Sequence, residues 1–269
     1  DELKQFRQWG SRTPGHPEFG DTPGVEVTTG PLGTGFATGV GMAIAAKQLA
    51  ARMDNDGLLK QRIFVLSSDG CMMEGITHDA ASLAGHQQLD NLIAFYDDNS
   101  ITIEGGTDLA FSEDVAARYK AYGWHVIEVD GHDLTAIDQA LGEAVATVGK
   151  PTMIVGKTTI GRGAPSLAGS HKTHGAPLGE EEVAALKTAL GLDPRQSFFV
   201  PEDVQAFFAE CTQAWESEAV AWNTKLAAFR GEHPEKAELL DALTSQTVPA
   251  DLAAQLVAAA PEKPLATRK

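Results

Sequence analysis

Residues 63–71 read Ile-Phe-Val-Leu-Ser-Ser-Asp-Gly-Cys. Four apolar residues, two of them β-branched, give way to two serines, an aspartate and a glycine. A short apolar run without polar alternation suits a strand buried on both faces, the mark of a parallel sheet. Outward from it the same pattern recurs at Leu92–Tyr96, Trp124–Val129 and Met153–Val155. Helix-like stretches lie between these runs, over 77–85, 112–122 and 134–148. A longer one, rich in Ala, Met, Lys, Gln and Leu, precedes them over 34–53 and ends on Asp54-Asn55-Asp56-Gly57, a turn signal. Ser112-Glu113-Asp114 loads acid at the start of the third stretch, as helix N-termini favour. Strands alternating with helices at this spacing predict an α/β fold, a doubly wound parallel sheet with helices on both faces.

Beyond Thr158 the character changes. Gly161–Gly179 is a loop rich in Gly, Pro, Ser and His, and loops of that length commonly carry function. Residues 180–190 and 201–230 read as amphipathic helices, and Pro234–Ala260 as an Ala-rich helical tail. Pro261-Glu262-Lys263-Pro264 has the composition of a linker. The expected organisation is an α/β domain over 1–195, a helical extension over 196–260 and a linker over 261–269. The chain opens at Asp1 on what reads as mid-domain sequence, so a segment of a longer polypeptide is expected.

The composition is that of an ordinary globular protein: 269 residues, 43% apolar and 22% charged. Twenty-one Lys and Arg stand against 37 Asp and Glu, a net charge of −16. That balance excludes nucleic acid as a main partner, because phosphate-backbone binding needs a basic footprint. No apolar run is long enough to span a bilayer, so no membrane association is expected. Two cysteines, Cys71 and Cys211, are too few for a disulfide framework or a thiolate zinc site. A reducing, cytoplasmic setting is expected.

In an open parallel sheet, ligands bind outside the carboxyl ends of the strands. There the first strand presents Asp69 and the second Asn99. A carboxylate and an amide oxygen are hard ligands suited to Mg²⁺ or Ca²⁺, which complete their shells with water and phosphate oxygens. Gly70 fits close approach of backbone to such a phosphate. The plainer reading has Asp69 capping a helix and Asn99 making a turn, and both readings stand on these residues alone. Thr28–Gly35 is glycine-rich before a helix but lacks the Lys-Ser/Thr of a P-loop, and reads on its own as tight packing. His16, in the rigid Pro14–Glu18 loop, and His171 and His174, in the long loop at the carboxyl edge, are candidate donors or acid–base groups. His78, His86, His125, His132 and His233 read as structural, and Cys71 as a small buried hydrophobe.

Several of these stretches, in order, resemble transketolases. They are Thr13-Pro14-Gly15-His16-Pro17-Glu18, Thr28-Thr29-Gly30-Pro31-Leu32-Gly33, Asp69–Ile76, Tyr96-Asp97-Asp98-Asn99, Tyr122–Ile127, Asp130-Gly131-His132-Asp133 and His174–Gly179. The resemblance covers about the first two thirds of the chain. It implies the thiamine-diphosphate-binding fold, with thiamine diphosphate and Mg²⁺ (or Ca²⁺) as cofactors. It implies ketol transfer, in which a two-carbon unit passes from a ketose phosphate such as xylulose 5-phosphate to an aldose phosphate. By resemblance, Asp69, Asn99 and the carbonyl of Ile101 hold the metal, and Gly70 and His171 contact the diphosphate. Gly30, Pro31 and Leu32 meet the aminopyrimidine. His16, His171 and Glu74 are the catalytic residues that the resemblance implies, His16 and His171 serving the sugar phosphate and Glu74 being an acid at the dimer interface that links the two sites.

The resemblance further implies a homodimer whose site needs a pyrimidine-binding domain, into which Leu265–Lys269 would lead. Two positions depart from the pattern, Ser68 in place of a glycine and Ser100 in place of an asparagine. Dihydroxyacetone synthase, deoxyxylulose-phosphate synthase and a non-catalytic fragment are the alternatives. The Pro14–Glu18 and Gly30–Gly33 stretches favour transketolase over deoxyxylulose-phosphate synthase.

Overall fold

The four apolar runs become four strands, Ile63–Ser68 (β1), Leu92–Asp98 (β2), His125–Asp130 (β3) and Thr152–Lys157 (β4). The structure is a computed structural model that describes residues 2–53, 57–261 and 263. All strand pairs are parallel, in the order β1-β2-β4-β3. The helices are Thr34–Met53 (α1), Asp69–Met73 (α2), Gly75–His86 (α3), Val115–Ala121 (α4), Leu134–Ala146 (α5), Glu180–Ala189 (α6), Glu202–Glu232 (α7), Pro234–Ser245 (α8) and Leu252–Ala258 (α9).

Side chains of successive strand residues point to opposite faces, and the core divides accordingly. On one face Leu92, Ala94 and Tyr96 of β2 pack with Phe36, Val40 and Ala43 of α1, Ala81 and Ala84 of α3, and Tyr119 of α4. Tyr119, Phe36 and Trp124 form an aromatic cluster, with Tyr119 edge-on to Trp124 at 5.1 Å between ring centres. On the other face Ile93 and Ile154 pack against Ala140 and Ala144 of α5. The α/β class with helices on both faces is thus as predicted.

The cover is unequal, and here β1 departs from the expectation of a strand buried on both sides. Its side chains Phe64 and Leu66 are 57% and 84% exposed. The reason is topological: β1 is an edge strand, and α5 lies mainly on β4 and β3, two and three strands away.

Three element expectations are corrected. The stretch over 77–85 is preceded by a separate short helix, α2, and the two are broken at Glu74, whose ψ of 133° is extended. The stretch over 112–122 starts at Val115, because Asp114 rather than Ser112 caps it, accepting from the Ala117 amide at 2.8 Å. The tail over 234–260 is not continuous. Gln246 adopts the left-handed conformation (φ 54°) and ends α8, and α9 begins six residues later. The Asp54–Asp56 turn and the Leu265–Lys269 stretch lie outside the described residues, as do Glu262 and Pro264 of the linker.

The chain divides into two compact units, Asp1–Ala51 with Leu59–Pro201, and Arg52–Leu58 with Glu202–Lys269. The second is helical. In it α7 packs on α8 through Phe229, Ala237 and Leu240, with Arg230 paired to Asp241. Among the described residues no helix is long and apolar enough to cross a membrane.

Asp90 ties two parts of the first unit together. It pairs with Lys47 of α1 at 2.8 Å and accepts from the Gly149 amide at 3.0 Å. Burial pushes its carboxyl up, but the Lys47 ammonium and the amide outweigh this and hold it below the usual range. A depressed carboxyl contributes stability above its unfolded value, and that stability is lost as pH falls through the folded one. The pair is partly exposed, so the contribution is about 0.2–1 kcal/mol. Urea titrations should show Asp90→Asn less stable than wild type at pH 7, with the gap narrowing as the pH is lowered through the acid range.

Candidate functional site

The parallel pairing of β1 with β2 sets Ser68 beside Asp97, so the residues that follow each strand emerge together. Asp69 opens α2 and is 2% exposed. Its Oδ1 accepts from the Tyr96 hydroxyl at 2.8 Å, and its Oδ2 from the amides of Asn99 and Ser100 at 3.2 and 3.1 Å. Ser100 turns left-handed (φ +61°), so that two consecutive amides converge on one carboxylate oxygen. Asn99 is anchored as well: its Oδ1 accepts from the Ile101 amide at 3.0 Å, and its Nδ2 donates to Asp97 at 3.4 Å.

The two departures from the transketolase pattern now have physical meaning. Ser68 sits at φ −137°, extended backbone open to any residue, so no glycine is needed there. Ser100 occupies a conformation that asparagine adopts far more readily than serine. Ser100→Asn should therefore raise stability by about 0.5 kcal/mol, read as a small rise in the urea midpoint.

Burial pushes the Asp69 carboxyl upward, while the Tyr96 hydroxyl and the two amides pull it back without fully compensating. A buried carboxylate with three neutral donors and no cation beside it among the described residues is what a divalent ion offsets. Three donors also leave one of about four lone-pair positions on this carboxylate open. No cluster of three or more His, Cys, Asp and Glu occurs among the described residues. An ion here must therefore draw on amide and carbonyl oxygens too, and Asn99 and Ile101 present both. These are hard ligands, and the set fits magnesium or calcium.

The glycine-rich loop folds onto this corner. A Cβ placed on Gly70 would lie 3.0 Å from Leu32 Cδ1, and one on Gly30 would lie 3.2 Å from His16 Nδ1. At Gly33 the backbone is left-handed (φ +78°) and buried against α3. A Cβ there would come within 2.9 Å of Ile76, Thr77 and Glu74. His16, Gly30, Pro31, Leu32, Asp69, Gly70 and Glu74 thus gather at one end of the sheet with Asn99 and Ile101. His171 is not drawn in: it lies exposed in a single 3₁₀ turn with no side-chain hydrogen bond to the group among the described residues.

Two contacts at this corner are between residues whose meeting the sequence does not reveal. Tyr96 reaches Asp69 from β2. Arg118 of α4 donates from Nη2 to the Met72 carbonyl at 2.9 Å, holding the end of α2, and its Nη1 lies 2.9 Å from His78 Nε2. The same His78 Nε2 also lies 3.0 Å from the Met72 carbonyl, so imidazole, guanidinium and carbonyl meet at the end of α2. Of the other histidines, His125 pairs with Glu143, and His132 accepts from the Thr159 amide. Cys71 packs against the core beside Met72. Tyr96 heads the Tyr96–Asn99 stretch and is a tyrosine at a strand position that is otherwise apolar, but neither signal points to Asp69 as its partner.

Residues 1–249 match the transketolase thiamine diphosphate-binding domain. The chain belongs to the transketolase family. Among curated transketolases it is 52% identical over 239 residues to transketolase 2 of Xanthobacter flavus, covering 88% of this chain and 34% of that protein. It is 47% identical over 272 residues to the transketolase of Geobacillus stearothermophilus, covering all of this chain and 41% of that one. The chain thus spans about a third to two fifths of the length of these transketolases. Among solved structures, transketolase from Leishmania mexicana superposes with a TM-score of 0.90 at 45% identity, over 98% of this chain and 39% of that one. A Pichia stipitis transketolase in complex with xylulose 5-phosphate gives 0.87 at 46%, over 93% and 37%.

Proposed function

We propose that this chain forms the diphosphate- and metal-binding half of a transketolase active site. The observation that carries this is the buried Asp69 carboxylate facing Asn99 across adjacent strand ends, with the Gly30–Gly33 loop folded beside it. When bound, thiamine diphosphate supplies the electron sink that lets a ketose carbon–carbon bond break. The protein's part is to bind and orient. Asp69, Asn99 and the Ile101 carbonyl hold a divalent ion, magnesium by its oxygen preference, against the diphosphate. The Gly70 amide donates to a diphosphate oxygen, and Gly30, Pro31 and Leu32 border the aminopyrimidine. His16 hydrogen-bonds the hydroxyls of the sugar phosphate. His171 acts at the diphosphate end and the substrate channel.

Ketol transfer from a ketose phosphate to an aldose phosphate is the reaction this arrangement serves. The reading is supported by family membership and by the relative that holds xylulose 5-phosphate. The site is completed by a pyrimidine-binding domain, in a homodimer with Glu74 at the interface. Two unpaired cysteines suit the reducing cytoplasm.

The test is complementation. The 269-residue chain alone should show no turnover with xylulose 5-phosphate and ribose 5-phosphate, and activity should appear when the remaining transketolase domains are added in trans. Turnover by the chain alone would overturn the divided site. Failure to bind thiamine diphosphate with magnesium and the added domains would overturn the proposed function.

A further inference from the structure

Alternation along β2 places Leu92, Ala94 and Tyr96 on the face covered by α1, α3 and α4, and all three are core residues there. Tyr96 is 2% exposed. A phenylalanine would fill the same space, so the hydroxyl needs its own reason, and a buried tyrosine hydroxyl requires a partner. That partner is Asp69 Oδ1 at 2.8 Å. Of the three donors on this carboxylate, two are backbone amides that any side chain at 99 and 100 would supply. Tyr96 is the one side-chain donor among the described residues. The amides fix Oδ2 and the hydroxyl fixes Oδ1, which together set the carboxylate's rotation about the Cβ–Cγ bond.

We propose that Tyr96 is a positioning residue for the divalent ion, holding Asp69 in its ligating orientation through the Tyr96 hydroxyl. This rests on the reading of Asp69 as a metal ligand. Carboxylates that ligate metals are characteristically held by an outer hydrogen bond, and removing such a partner weakens metal binding by roughly 10- to 100-fold. Because the ring is in the core while the hydroxyl is at the site, position 96 links the packing of the sheet to the geometry of the metal ligand.

The experiment uses a full-length transketolase polypeptide that carries this sequence. Magnesium is titrated at fixed thiamine diphosphate, retained cofactor is measured by equilibrium dialysis, and folding is followed by circular dichroism. Tyr96→Phe should keep the wild-type spectrum and retain the same cofactor at saturating magnesium, with the midpoint moved up roughly 10- to 100-fold. That rescue by excess ion separates a positioning role from general damage. Asp69→Asn is the control and should lose ion-dependent retention at every concentration.

An unmoved midpoint in Tyr96→Phe, with Asp69→Asn inactive in binding, overturns the role of Tyr96 and leaves the metal reading standing. Wild-type retention in Asp69→Asn overturns the metal reading itself. Should Tyr96→Phe fail to fold, fluorotyrosine placed at position 96 keeps the hydroxyl. Its ¹⁹F resonance should shift on magnesium saturation, and a resonance that does not move overturns the proposal.

Discussion

Asp69→Ala is expected to abolish magnesium-dependent binding of thiamine diphosphate. The loss should exceed the roughly 10- to 100-fold that follows removal of an outer partner, because a ligand itself is gone. Tryptophan fluorescence during a cofactor titration, with magnesium and again with EDTA, measures it in the complemented protein. Alanine also strands the Tyr96 hydroxyl and the amides of Asn99 and Ser100, all of which donate to this side chain. Each buried donor left unpaired destabilises by about 1–3 kcal/mol, so part of the effect would be structural. Asp69→Asn separates the two. It keeps an acceptor oxygen and the volume while removing the charge, so folding should survive better than in alanine and ion binding should not. Equal binding by wild type and both variants would remove Asp69 from the site.

Gly85→Ala is expected to be the most damaging single-methyl change in the α/β unit. A Cβ on Gly85 would stand 1.8 Å from the carbonyl oxygen of Tyr122 and 3.4 Å from Trp124 Cδ1. The nearer atom is backbone, at the turn between α4 and β3, and cannot swing aside as a side-chain tip can. Trp124 is held from the same helix, its indole donating to the Ala81 carbonyl at 2.9 Å. Pushing α3 away therefore disturbs the Phe36–Tyr119–Trp124 cluster as well. Overpacking a core typically destabilises by 1–3 kcal/mol, and a clash with fixed backbone belongs at the top, about 3 kcal/mol or more. For a domain of this size that is a fall in Tm of about 6–12 °C. Gly142→Ala is the matched comparison: it lies in α5 with open space around it and should stabilise by about 0.5–1 kcal/mol. Similar melting of the two variants would show that the close approach at Gly85 does not govern stability.

Both positions stand in stretches that local sequence already marks, but for different reasons. Asp69 and Asn99 were legible as a pair because each directly follows an apolar run, and consecutive strands of a parallel sheet end on the same edge. The structure adds that the strands are immediate neighbours, which brings the Asn99 amide within 3.2 Å of the Asp69 carboxylate. Gly85 sits in what reads as an ordinary Ala-rich helix. Nothing within that helix reveals that a carbonyl thirty-seven residues later comes to rest on it.

The class of fold and the place of each strand could be read from the chain alone, because the hydrophobic period and the turn residues are local properties. So could the polar residues that reach the ligand edge of the sheet, since they follow from where each strand stops. Caps and breaks were less secure. Asp114 rather than Ser112 starts α4, and Glu74 splits α2 from α3, because competition among neighbouring candidates is decided by how the helix must pack. Contacts between distant segments emerged only on folding: the Tyr96 hydroxyl on Asp69, Arg118 on the Met72 carbonyl, Gly85 under Tyr122, and the exposed face of the edge strand β1. These depend on strand order and on which helix covers which strand. Such arrangements are selected by burial summed over the whole unit, and no window of sequence contains that sum.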